Sequence, residues 1–261
     1  MFGYGIVLSD TCVTITDPTG EKKYHDAVQK AFPLAPFVVG GFAGSIYIGF
    51  KMIDSLRRFL TIPESEGECA WELDWVAEKW QKVAKEVFDK APERERRGGS
   101  HIILVAAHPS EDVGIPGFAR VHIAVLKSPN FEPVVTKGEF LTIESIGSGA
   151  KAYAERLKSL KPESFNLATM EVGFSGGLGS MVTQKISDHL RDNPSSGVSP
   201  HLHIFTVKRG GFTIGSNNYF EYKQDGTESE FVMPLVADSY KKLVKQLQEK
   251  GVDSTGSLLT A

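Results

Sequence analysis

The chain has 261 residues, 41% apolar and 23% charged, with a formal net charge of −3. That is the mix of a globular protein large enough for one core, and its mild acidity supplies no basic surface for nucleic acid or an acidic membrane. Cys12 and Cys69 are the two cysteines; two in so long a chain are no disulfide framework and fit a reducing, cytoplasmic setting.

The opening "MFGYGIVLSD" has no basic region and reaches an aspartate after a short apolar run, unlike a signal peptide. Residues 4–8 read as a strand and 11–16 as another. "DPTGE" at 17–21 is a turn by its Asp, Pro and Gly. Residues 36–42 ("PFVVGGF") read as a buried strand. The apolar stretch 31–50 is broken by prolines and glycines and is no membrane span. Ser45 is placed to cap a helix whose Ile46, Ile53, Leu56 and Leu60 share one face. A second helix is expected at about 71–90, with Leu73, Val76, Trp80, Val83 and Val87 at steps of three and four. The two helices are expected to pack side by side. Pro92 and "ERERRGG" then predict a solvated loop.

Downstream, "HIILVAA" (101–107), "FARVHIAVLK" (118–127) and "FLTIESIG" (140–147) predict strands. Residues 149–160 and 181–192 predict helices. "HLHIFTVKR" and "GFTIGS" predict a hairpin around Gly210–Gly211. A last helix is expected over 236–250, closed by Gly251. The expected domain is single, residues 1–251, with a disordered tail at 252–261. Strands and helices come in blocks, which argues for α+β layers of antiparallel sheet rather than a doubly wound parallel sheet.

The glycine-rich turns "GFAGS", "IGSGAKAYA" and "FSGGLGS" match neither a dinucleotide fingerprint nor a P-loop. Tight helix–sheet packing explains them as well. His201 and His203 alternate on one strand, but without further metal-ligand spacing they read as edge or surface histidines. No metal and no cofactor is expected. Trp71, Trp75 and Trp80 read as anchors of a helix. No GxSxG elbow is present, and Cys12 within a strand pattern reads as a buried thiol.

Four motifs in order carry a resemblance. "GIVLSDT", "QKAFPLAPFVVGGFAGS", "SIGSGAKAYA" and "RDNPSSGVSPHLHIFTVKRGG" resemble successive segments of proteasome-type subunits of the N-terminal nucleophile (Ntn) hydrolase superfamily. The first resembles that family's opening hairpin. The resemblance covers nearly the whole chain and implies a four-layer αββα sandwich of antiparallel sheets. It also implies a threonine-type endopeptidase. In such enzymes the hydroxyl of a chain-start threonine attacks a peptide carbonyl, and its own α-amine, with an ordinary pKa of about 7.7–8.0, takes the proton. A neighbouring lysine adds positive potential, and a bare backbone N–H receives the oxyanion.

Carried over by position, the resemblance makes Lys30 the lysine, Gly44 the oxyanion donor and Asp10 the acid that holds the lysine. Ser148, Asp192 and Ser196 complete the network, with Ser195 an equal candidate for the last place. Phe42 is expected beside the first specificity pocket. The chain as written departs from the family at its start: Met1 is no nucleophile, and Thr11 and Cys12 follow Asp10. Three readings stay open: a threonine peptidase whose start lies upstream, with this form inactive; a non-catalytic scaffold or ring subunit; and an amidohydrolase using Cys12 after self-cleavage. The partners implied are copies of this chain in a homo-oligomer or ring, and a peptide substrate if the enzyme is active.

Overall fold

The computed structural model describes residues 4–35, 38–60, 73–112, 119–137, 142–150, 154–155, 186–187, 189–191, 197–208, 211–216, 219–222, 228–231, 233–252, 254 and 256–261. The central element is a five-stranded antiparallel sheet in chain order: β4 (Ala31–Ala35), β5 (Val38–Gly44), β6 (Ser100–Asp112), β7 (Ala119–Lys127) and β8 (Val134–Lys137). Its middle strand explains its own sequence. Ile102, Leu104 and Ala106 enter one hydrophobic cluster, while Val105 and Ala107 enter another. Successive side chains in a strand point to opposite faces, so a run without polar alternation is what a strand covered on both sides requires.

The first face carries α1 (Ile46–Phe59) and α2 (Leu73–Asp89). They pack side by side as their periodicity predicts, and Trp80 Nε1 donates to Ser55 Oγ at 3.2 Å between them. Ser45 caps α1 by accepting from the Ile48 N–H at 3.3 Å. The short α3 (Glu93–Arg97) follows, and α4 (Tyr240–Glu249) lies against α1 with the Tyr47 and Tyr240 rings edge to face. The second face is covered by β1 (Tyr4–Asp10) and β9 (Leu202–Lys208), with Val7, Phe205 and Val207 against Val105 and Val121. A Cβ at Gly5 would sit 2.7 Å from Val105 Cγ1, so the two sheets touch there without room for a side chain. β1, β9 and β10 (Gly211–Ser216) form one three-stranded sheet; the β9–β10 hairpin is the one expected.

A third sheet joins β2 (Cys12–Thr16), β3 (Lys22–Asp26) and β13 (Leu258–Thr260) in the order β13-β2-β3. A two-stranded ribbon pairs β11 (Tyr219–Tyr222) with β12 (Glu228–Phe231). Among the described residues no helix is long and apolar enough to cross a membrane.

Several expectations are corrected. The four-layer αββα sandwich is replaced by a mixed α/β fold whose antiparallel strands, among the described residues, divide into sheets of five, three, three and two. The split has a local cause. β1 and β2 do not form a hairpin: β1 pairs with β9, β2 pairs with β3 and β13, and the chain turns a corner at Thr11 between them. Residues 142–146 form no strand, although 140–147 reads as one. The run "ERERR" is helix α3 with Glu95 buried, not a solvated loop. Residues 258–260 are an ordered strand with Leu259 in the core, not part of a disordered tail. Of the helix expected over 149–160, residues 150 and 154–155 are helical, and of that over 181–192, residues 186–187 and 189–191; their other positions lie outside the described residues.

Candidate functional site

Asp10 ends β1 and Lys30 immediately precedes β4. Their side chains meet: Lys30 Nζ lies 2.9 Å from Asp10 Oδ1, with side-chain exposures of 6% and 18%. The same oxygen accepts the Cys12 N–H at 2.8 Å, which locks the carboxylate across the corner at Thr11. Among the described residues Asp10 is the hydrogen-bond partner of Lys30, although an ammonium carries three N–H groups. Charges this far from water persist when paired.

The β4–β5 ladder places the lysine near the bare turn. The Lys30 carbonyl accepts the Phe42 N–H at 3.0 Å, and Gly44 lies two residues further along β5. Gly44 has φ +95°, and a Cβ there would stand 2.6 Å from the Gly99 carbonyl oxygen. Only glycine fits both the left-handed backbone and the close approach. The turn after α3 makes that approach, since the Gly99 carbonyl accepts the Ser45 N–H at 2.9 Å. Beneath it the Ser45 hydroxyl donates to buried Glu95 Oε2 at 2.8 Å, and Arg94 Nη2 lies 3.1 Å from Glu95 Oε1. A carboxylate at the start of α1 also complements the helix dipole.

The Gly147–Ser148 turn reaches this region. Gly147 has φ +91°, and a Cβ there would be 3.1 Å from Ala43 Cβ and 3.9 Å from the Ala261 oxygen. Ser148 Oγ lies 3.9 Å from where a Cβ of Gly197 would stand. Thus Asp10 and Lys30 are in contact, Gly44 is on the strand paired with β4, and Ser148 follows a Gly147 that approaches Ala43 and Ala261 while its own hydroxyl faces Gly197. Asp192, Ser195 and Ser196 lie outside the described residues.

Phe42 is a core residue: its ring packs against Phe50 at 5.3 Å, and a Cβ on Gly49 would collide with it at 2.2 Å. Cys12 is buried, and burial pushes its thiol up to about 11, against the partial opposition of Lys30. A thiol held protonated is a poor nucleophile. Thr11 is fully buried, and its hydroxyl donates to Asp26 Oδ1 at 3.0 Å.

A second polar cluster escaped the sequence. Asp26 gathers Thr11, His201 through Nδ1 at 3.1 Å, and Ser199. Ser199 Oγ accepts the His201 backbone N–H at 3.0 Å. Burial opposes ionisation of Asp26, but donation from His201, Ser199 and Thr11 outweighs it and holds the carboxyl below its ordinary value. His203 lies one register step from Asp10, opposite Ser9 in the β1–β9 ladder, and burial holds its ring below the usual imidazole range. Among the described residues no cluster of His, Cys, Asp and Glu has the make-up of a metal site.

The feature nearest to chemistry is the Gly44 amide. It donates to the Ala261 oxygen at 3.1 Å, and the Ala261 N–H returns a bond to the Gly44 oxygen at 2.8 Å. The Gly44 amide is therefore engaged in a reciprocal main-chain pair with Ala261. No family model and no curated protein matches this chain.

Proposed function

We propose that this chain is a proteasome-like protein of the Ntn-hydrolase type that handles peptides, and that it does not hydrolyse them in this form. The observation that carries the reading is the Lys30–Asp10 pair at 2.9 Å, with Lys30 immediately before β4, the strand paired with the β5 that ends at Gly44, whose amide holds the Ala261 oxygen. Lys30 supplies positive potential beside a reacting hydroxyl, Asp10 fixes it in place, and the Gly44 N–H receives the charge that develops on a carbonyl oxygen. Neither the hydroxyl nor the thiol that follows Asp10 is placed to attack. Thr11 is spent on Asp26, and Cys12 is buried with a raised pKa. The proposed setting is cytoplasmic, where Cys12 stays a free thiol.

Two arms test this. The chain incubated with fluorogenic peptides and with threonine-directed electrophiles is expected to show neither turnover nor an adduct. A version carrying an N-terminal extension that begins with threonine is expected to hydrolyse peptides, and Lys30→Met is expected to reduce that rate at least about 100-fold, the usual scale of a lost electrostatic group. Turnover indifferent to Lys30→Met would overturn the reading.

One observation favours a non-catalytic subunit as the second reading: the Gly44 amide is already occupied by the chain itself. Such a subunit would act by assembly. Trp75 on α2 is half-exposed beside Phe59 and is a proposed contact between copies; Trp71 lies outside the described residues. Sedimentation should show an oligomer, and a monomer at micromolar concentration would contradict it.

A further inference from the structure

The segment around Ala261 is held like a ligand. β13 pairs antiparallel with β2, with Leu258 opposite Thr16, Leu259 opposite Ile15 and Thr260 opposite Thr14. On its other side Thr260 bridges Ser45, and Ala261 exchanges both backbone bonds with Gly44. A short extended segment thus lies between two backbone edges, with main-chain bonds to each. One side chain anchors it: Leu259 is 1% exposed, inside the cluster that contains Val13, Ile15 and Ile46. The neighbouring positions are tight. A Cβ at Gly98 would come within 3.0 Å of Thr260 Cγ2, so the wall beside Thr260 is bare backbone. Main-chain bonds on both edges with a single buried side chain are the pattern of a peptide added as a strand, where the backbone supplies affinity and the pocket supplies selectivity.

We infer that Leu258–Ala261 is a cis-bound peptide that occludes the Gly44 amide, and that the groove between β2 and Gly44–Ser45 takes extended peptides of the same chemistry in trans. The occupant is an unbranched backbone bearing one large aliphatic residue, a small β-branched or hydroxyl residue after it, and a small residue whose oxygen meets the Gly44 N–H. The inference rests on the proposed peptide-handling site for its functional meaning, and it makes segment 258–261 the device that keeps that site closed. A tethered ligand competes at an effective concentration on the order of millimolar, so a free peptide displaces it only when abundant or when the tether is weakened.

The test uses the full chain and the labelled peptide Gly-Ser-Leu-Leu-Thr-Ala, the sequence of residues 256–261. Ala261→Pro removes the N–H that bonds the Gly44 oxygen and leaves Leu259 in place. Fluorescence anisotropy should show this variant binding the peptide at least about tenfold more tightly than the unaltered chain, given the tether it weakens. A peptide with aspartate in place of its second leucine should not bind. As an independent arm on the unaltered chain, millimolar peptide should speed amide exchange at Ala261 while Gly44 stays protected, because the incoming peptide replaces the bond at Gly44. Equal affinity of variant and parent, or unchanged Ala261 exchange at millimolar peptide, would overturn the inference. The outcomes separate from those of the hydrolase reading: peptide binding without hydrolysis by the threonine-initiated version sinks only that reading, and hydrolysis with no displacement of Ala261 sinks only this one.

Discussion

Asp10 and Asp26 stand at two ends of the same corner and are treated in opposite ways. Asp26 closes β3 and is held by two hydroxyls and an imidazole, from Thr11, Ser199 and His201. Asp10 closes β1 and holds one buried cation and one backbone N–H. The Asp26 carboxylate ties the Thr11 corner to the residues before β9. A lysine with one partner among the described residues keeps donors in hand. A buried ion pair recovers its desolvation poorly compared with an apolar pair of the same size, so the Lys30–Asp10 pair is the weaker contributor to stability for its burial.

The largest effect should follow from breaking the ion pair one-sidedly. Lys30→Met leaves the mostly buried Asp10 carboxylate without its cation and should destabilise by about 3 kcal/mol or more in urea unfolding. Asp26→Ala should come next, at about 2 kcal/mol, since it strands three buried or half-buried donors, while Asp26→Asn should lose less by keeping an acceptor. Ser45→Ala removes both the cap of α1 and the hydroxyl on Glu95 and should lose about 1 kcal/mol. The smallest effect concerns pH. His101 and His203 have folded pKa values below the ordinary 6.5, through burial and, for His101, also Lys127. The unfolded chain then binds protons that the fold refuses, so stability is complete above about 6.5 and falls as pH drops below it. Asp26, also held low, adds a second loss as pH falls below the ordinary carboxylate value of 3.8. Stability that rises as the pH drops from 7 to 5 would contradict these assignments.

The legible parts were those where one element states its own environment. The faces of α1 and α2, the cap at Ser45, the turn at 17–20 and the β9–β10 hairpin are written in local spacing. Gly44 and Lys30 are singled out by the resemblance of "QKAFPLAPFVVGGFAGS" to a proteasome-type segment, not by local spacing. What could not be read was which strand pairs with which. The corner at Thr11 sends β1 and β2 into different sheets, and no residue type announces that. Long-range partners were hidden for the same reason: Asp26 sits in an unremarkable "KKYHD", and two of its partners, Ser199 and His201, are some 175 positions away. Glu95 was lost in a run of charges whose one inward member depends on the path of Ser45. In the segment 258–261, the pair of leucines was the only hint of order, and a position near the end of the sequence outweighed it.

The sharpest measurement is the unfolding free energy of the double variant Asp10→Asn/Lys30→Met. Asparagine keeps the acceptor for the Cys12 N–H, and methionine fills the space of the lysine stem. If the pair is kept for chemistry, this variant should be as stable as the parent within about 1 kcal/mol, even though Lys30→Met alone is not. A double variant as unstable as the single one would show that the two charges hold the fold together, and that no reserved cation lies beside Gly44.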